Sequence, residues 1–209
     1  WGFACPEQES RRVDANALFE KFQTFVGREV GAADVARDPV NQPMIRHWCD
    51  AVNDANPVYT DTDFASQSIH GGIVAPPTML QAWTMRGLRP PPKPDAASRG
   101  PQNELFGMLD AAGFTSVVAT NCTQEYTRYL KPGDHLNVSM RIESISPEKH
   151  TALGEGHFIT QLLTYRDQNG EKVASMRFRL LKFRPGTGKM PPPAPAQETP
   201  SSEHRHPEE

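Results

Sequence analysis

Cysteine is scarce in this sequence: Cys5, Cys49 and Cys122 are odd in number and far apart. That pattern excludes a disulfide framework and offers no paired spacing that would hold zinc. Reduced thiols in a cytoplasmic protein are therefore expected. No apolar run approaches the roughly 20 residues that a membrane-spanning helix needs, and no secretory leader is expected. An excess of one charge is missing too: 22 Lys and Arg against 25 Asp and Glu leave a formal net charge of −3. Nothing in that balance argues for nucleic acid or an anionic membrane as partner. The histidines His135, His150 and His157 are scattered, and His204 and His206 lie near the end, so neither a metal nor a cofactor is expected.

Proline, by contrast, is abundant, and its 20 copies gather at residues 90–94 and beyond 185. Such clustering marks loops and a tail rather than an unusual core. With 209 residues and 37% hydrophobic content the chain can form one large domain with appendages. Residues 1–26 are expected as an N-terminal extension carrying a helix at about 13–26, since Leu18, Phe22, Phe25 and Val26 recur at helical spacing. Residues 27–184 are expected as the folded domain, and 185–209 as a Pro-rich disordered tail or linker. The chain opens on Trp1 rather than Met, so a fragment of something longer is expected.

Inside the domain the pattern changes from helical to extended. Ile45, Trp48, Cys49 and Val52 share a helical face, with Asn41 as cap and Pro43 in the first turn. The residue before Pro57 is biased out of the helical region, so this helix ends near Asn53. After Pro76-Pro77 the uncharged run Thr78–Met85 predicts a buried helix cradled by a sheet. Residues 87–103 read as a long surface excursion. Phe114–Val118, Thr123–Leu130, Leu136–Ile142, His157–Arg166 and Glu171–Phe183 then follow as strands, the last two joined by Asp167-Gln168-Asn169-Gly170. Helices first and an antiparallel meander last make an α+β fold.

The segment Asn53-Asp54-Ala55-Asn56-Pro57-Val58-Tyr59 resembles the Gly-Asp-x-Asn-Pro-(Leu/Ile/Val)-His signature of the MaoC-like, or R-specific enoyl-CoA hydratase, family. Asn53 and Tyr59 stand where the family has Gly and His. Gly71-Gly72-Ile73-Val74-Ala75-Pro76-Pro77 is similar to the family's lead into its central helix. The resemblance implies a hot-dog fold, in which an antiparallel sheet wraps a central buried helix. Residues 121–134 and 153–158 are similar to the larger-subunit branch of heteromeric steroid side-chain enoyl-CoA hydratases of actinobacterial cholesterol catabolism. That likeness implies an acyl-CoA substrate and a smaller MaoC-like partner subunit with an intact Asp/His pair. It also implies a thiolase-like aldolase, recruited through an OB-fold domain that lies beyond these 209 residues. In that family the half without catalysis widens its acyl pocket by losing part of the central helix, and residues 87–113 fall where such a loss would occur.

Hydrating a 2-enoyl thioester requires a general acid–base pair around one water and a donor for the thioester oxygen. The family uses Asp and His for the first, and for the second a backbone N–H at the start of the central helix. The resemblance thus places a degenerate catalytic position at Asp54, with Tyr59 at the His position. It places substrate contacts at Asn56, Tyr59, His70, Gly71, Gly72, Val74 and Ala75. Tyrosine titrates near 10 and histidine near 6.5, a gap of roughly 5 kcal/mol for a base working at neutral pH. This copy of the site is therefore expected to be inert without a partner. Blander readings stay open: Asp54 as a turn residue, His70 as a solvated loop histidine, Trp83 and Met85 as core. Two other functions also stay open: an acyl-CoA-binding scaffold that recruits an aldolase, and the non-catalytic subunit of a 3-hydroxyacyl-carrier-protein dehydratase.

Overall fold

A computed structural model describes residues 16–29, 33–85 and 100–188. The expectations for Cys5, the Gly31 end of the 27–31 break, most of the proline-rich excursion, His204, His206 and the tail beyond 188 lie outside the described residues. None of the helices described is long and apolar enough to cross a membrane.

The first helix, α1, covers residues 16–23. The second, α2, runs over Gln42–Val52 and starts as its sequence dictates. Asn41 is extended and its side chain accepts a hydrogen bond from the Met44 N–H at 3.0 Å, with proline in the first turn. It ends on Asn53 in the left-handed region at φ 54°, a conformation Asn tolerates better than most residues. Two short helices follow, α3 (Pro57–Thr60) and α4 (Thr62–Gln67). Then come a 3-10 helix over Pro77–Trp83 and α5 over Pro101–Ala111.

The strands are β1 (Asp34–Val35), β2 (Ser116–Tyr126), β3 (Asn137–Ile145), β4 (Lys149–His150), β5 (Glu155–Arg166) and β6 (Lys172–Phe183). They make one antiparallel sheet in the order β1-β3-β5-β6-β2, with β4 added beside β5. The β5–β6 turn closes as the Asn-Gly pair predicts. Gly170 takes φ 82°, and the Asp167 Oδ1 accepts the N–H groups of Asn169 and Glu171, each at 2.9 Å.

All helices that matter for the site cover one face of this sheet. On β5 that face carries His157, Ile159, Gln161, Leu163 and Tyr165; on β6 their register partners are Lys182, Leu180, Phe178, Met176 and Ala174. Two separate apolar clusters lie along it. At one end Ile45, Cys49, Tyr59, Met79, Leu80, Trp83, Leu136, Tyr165 and Met176 pack together. At the other, Phe22, Phe25, Leu105, Leu109, Phe114, Ile142 and Ile159 form a second core beneath α1 and α5.

Three elements differ in kind from their sequence expectation. The central helical element is seven residues of 3-10 rather than α-helix, and it buries Met79, Leu80 and Trp83 while Thr78 and Gln81 stay exposed. Two leading prolines lack N–H donors, and so short a run closes i→i+3 bonds such as Thr84 N–H to Gln81 O at 3.2 Å. Residues 101–111, which begin inside the expected 87–103 excursion and run on past it, are helical because Leu105 and Leu109 bury one face four residues apart. The two stretches read as separate strands join into continuous β2, which bulges between Ala119 and Asn121.

Candidate functional site

The 53–59 segment is a chain of side-chain-capped turns. The Asp54 N–H bonds to the Cys49 carbonyl at 2.9 Å, and Asp54 Oδ1 accepts the Asn56 N–H at 3.1 Å. Asn56 Oδ1 in turn accepts the Val58 N–H at 3.2 Å and so caps α3. Asp54 is thus already engaged in a local turn, while remaining half-exposed. Tyr59 turns inward and is buried in the main core. Burial pushes its hydroxyl above the ordinary tyrosine value, and the neighbouring Tyr129, Asp54 and Cys49 push it the same way. The structure therefore does bring Asp54 and Tyr59 together, but it makes the tyrosine a poorer base than its type already is.

Gly71 and Gly72 adopt φ of 63° and 149°, regions that favour glycine. They swing the chain from α4 toward the 3-10 helix. Most donors in this loop are already taken. The N–H groups of Gly71, Gly72, Val74 and Ala75 bond to the carbonyls of Ser68, Ala65, Val58 and Leu130 at 2.8–3.5 Å. Pro76 and Pro77, the cap and first residue of the 3-10 helix, have no N–H to give, so the first N–H at this helix start is that of Thr78. His70 packs its ring against Tyr129 at 4.5 Å between centroids, and its carbonyl accepts from Lys131 Nζ at 2.8 Å. The loop bearing His70 is thereby tied to the 128–134 loop.

That second loop carries residues whose roles the sequence did not reveal. Arg128 forks onto Asp134 at 2.7 and 3.2 Å and reaches Asp167 at 3.1 Å. Burial alone would raise the Asp167 carboxyl, but the N–H groups of Glu171 and Asn169 together with Arg128 outweigh it and hold the group below the usual carboxylate range. This network fixes Tyr129 and Leu130 beside a small apolar pocket of about 120 Å³, which Pro77, Leu80, Tyr126 and Val173 also line. Ligand pockets generally hold some 300 Å³ or more, so this one suits only part of a large ligand. The Arg and both Asp residues stand in turn-rich segments, where composition suggests only loop, and their convergence depends on the β5–β6 hairpin folding back.

Comparisons with known proteins show the family and the fold. Residues 24–176 match the family described as FAS1-like, dehydratase domain region. The chain is 52% identical over 166 residues to a probable enoyl-CoA hydratase alpha subunit of Thermomonospora curvata, a match covering 79% of this chain and 52% of the relative. It is 49% identical over 152 residues to the 3-oxo-4,17-pregnadiene-20-carboxyl-CoA hydratase alpha subunit of Mycobacterium tuberculosis, covering 72% and 47%. The chain therefore spans about half the length of these curated relatives. Among solved structures, a chain of the ChsH1-ChsH2 complex of Mycobacterium tuberculosis superposes with a TM-score of 0.71 at 42% identity, covering 83% of this chain and 98% of that one. A MaoC-like dehydratase superposes at 0.55 with 22% identity, covering 78% and 43%, a likeness of fold alone.

Proposed function

Because this chain belongs to the FAS1-like dehydratase domain region family, with the MaoC-like hot-dog fold, we propose that it is one subunit of a heteromeric enoyl-CoA hydratase. It adds water to the 2-enoyl thioester of a bulky acyl-CoA, a steroid side-chain ester, while a smaller MaoC-like partner supplies the catalytic Asp and His. The observation that carries this reading is the state of the 54–59 site. Tyr59 is buried and its hydroxyl is pushed further from neutrality. Asp54 is engaged in a turn, and prolines occupy the first positions of the central helical element. A general base near operating pH is therefore wanting here, although the fold around the site is intact.

The names of these two relatives support the substrate class, since both are alpha subunits of hydratases and one is named for a pregnadiene carboxyl-CoA. The complex named in the structural match supports a heteromer. In this reading His70, Gly71, Gly72, Val74 and Ala75 shape the thioester channel and perform no proton transfer. The half of the relatives beyond this chain is the place for the OB-fold domain and its aldolase partner.

Purified alone, the chain should give no hydration of a steroid 2-enoyl-CoA above background. Mixed with its MaoC-like partner it should be active, and Tyr59→Phe in that complex should keep kcat within about threefold of the parent. Replacing the partner's His by Ala should remove about 100-fold or more. Turnover by the isolated chain would end the proposed division of labour, and an active-site partner whose rate the chain never changes would make it a scaffold instead.

A further inference from the structure

On the face of the sheet turned away from the helices lies a second pocket, of about 300 Å³. Ser139 and Arg141 on β3, Leu162, Thr164 and Arg166 on β5, and Lys172 at the start of β6 line it. Alternation along β5 sets this face: Gln161, Leu163 and Tyr165 turn toward the helices, so 162, 164 and 166 turn away. In volume the pocket reaches the lower end of the range for small-molecule sites.

Register arranges the lining in rows. Ser139 stands opposite Thr164, with the Arg141–Leu162 pair on one side and the Arg166–Lys172 pair on the other. Rows on one face are two residues apart, about 7 Å. Two half-buried hydroxyls thus lie between one exposed arginine and an exposed arginine and lysine. Facing Arg166 with Lys172 sets like charges directly opposite each other, a destabilising choice unless an anion answers it. Among the described residues no carboxylate pairs with Arg141, Arg166 or Lys172, and Arg166 gives one N–H to the Gly170 carbonyl at 2.9 Å. Arg177, opposite Leu162 on the same face, is treated differently: Glu143 and Glu125 hold it at 3.1 and 3.3 Å. The sheet thus neutralises the cation beside the pocket and leaves unpaired the three that line it. Glu29 is the one carboxylate in the lining, so two positive charges remain in excess.

An occupant that matches must bring about two negative charges and several acceptor oxygens, because arginine and lysine only donate. A carboxylate brings one charge. A phosphomonoester brings about −1.5 to −2 at pH 7, with three strong acceptor oxygens, and arginine forks suit it. We propose that this pocket is a phosphate site, in which Arg141, Arg166 and Lys172 neutralise a phosphate or phosphomonoester dianion and Ser139 and Thr164 donate to its oxygens. It lies across the sheet from Tyr59 and stands independently of the hydratase reading.

Isothermal titration of the full chain tests this, in phosphate-free buffer at about 0.05 M salt so that screening stays modest. The probes are inorganic phosphate, adenosine 5′-monophosphate and adenosine. One phosphate should bind per chain, at about 1 mM or tighter. Arg141→Gln and Lys172→Gln should each weaken it about fivefold or more. Glu29→Gln should tighten it, since it removes the opposing charge. Lys149→Gln, on β4 and outside the pocket, should leave it within about twofold. All four positions are exposed, so these variants fold as the parent does. Tighter binding of the nucleotide than of inorganic phosphate would assign the dianion to a nucleoside carrier, and equal or weaker binding to free phosphate. No phosphate binding, adenosine bound as tightly as its monophosphate, or an affinity that both Gln variants at Arg141 and Lys172 leave unchanged would overturn the proposal.

Discussion

Three phenylalanine rings enclose the His157 imidazole. Phe19 stacks on it at 6.0 Å, while Phe22 and Phe114 meet it edge-on at 5.3 and 4.7 Å. Nδ1 donates to the Ser146 carbonyl at 2.9 Å. Burial lowers the imidazole below its usual value; Ser146 and Glu148 oppose this, and Arg184, itself against the Phe114 ring, adds to it. The folded protein thus holds His157 neutral where the unfolded chain would protonate it, so the unfolded state binds more protons as pH falls. Stability from this group is complete above about pH 6.5 and declines below it, by at most about 1.4 kcal/mol per pH unit, until the folded value is reached. Urea unfolding between about pH 7 and pH 5 should show that slope, and His157→Phe should flatten it by one proton; an unchanged slope would place the titration elsewhere. Sequence gave no hint of this histidine's role, because its cage comes from α1 and from Phe114 at the foot of β2. Tyr59 was legible for the opposite reason. A single residue type at one motif position limits the chemistry wherever the side chain points, and the structure added only that burial makes the limit stricter.

Elements were legible where local chemistry decides them and obscure where packing does. Asn41, Pro43 and Asn53 bound α2 through caps that need no tertiary partner, and Gly170 closes the β5–β6 hairpin through its own φ. The 3-10 form of Pro77–Trp83 and the existence of α5 depend instead on the sheet they cover. Glycine makes the same distinction measurable. A Cβ at Gly170 meets nothing within 4 Å, and its φ of 82° alone is at issue, so Gly170→Ala should cost about 1–2 kcal/mol. A Cβ at Gly156 would lie 2.2 Å from the Lys182 carbonyl oxygen and 2.8 Å from Phe183 Cα. Both are backbone atoms of the paired strand β6 and cannot swing away, so Gly156→Ala should cost about 3 kcal/mol or more. Chemical denaturation ranks the two, and the reverse order would mean that β5 and β6 can part locally without loss. The pairing behind the larger effect is a long-range one, which is why the sequence pattern starts this strand only at His157.

At the scale of the whole molecule the sheet is lopsided. One edge is the two-residue β1; the other is the eleven-residue β2, whose position beside β6 no local pattern could announce. Among the described residues β2 is paired on one side alone, by β6; long open edges attract further strands, and here the edge also borders the Tyr126 pocket. A partner strand laid along β2 would therefore complete both the sheet and the site, as the proposed heteromer requires. Backbone geometry shows how to test this without unfolding the chain. The Thr127 N–H points inward to the Val173 carbonyl at 2.8 Å, so by the alternation of an antiparallel ladder the N–H groups of Tyr126, Gln124 and Cys122 point away from β6. Proline is tolerated at an edge position whose N–H is not used within the sheet. Cys122→Pro should then leave the chain folded, with a melting temperature within a few degrees of the parent, while abolishing co-elution with the MaoC-like partner. Thr123→Pro, which removes an inward bond to β6, should unfold the edge itself and serve as the contrast. Co-elution that survives Cys122→Pro would show that the subunits meet on another surface and that β2 is left open for a different strand.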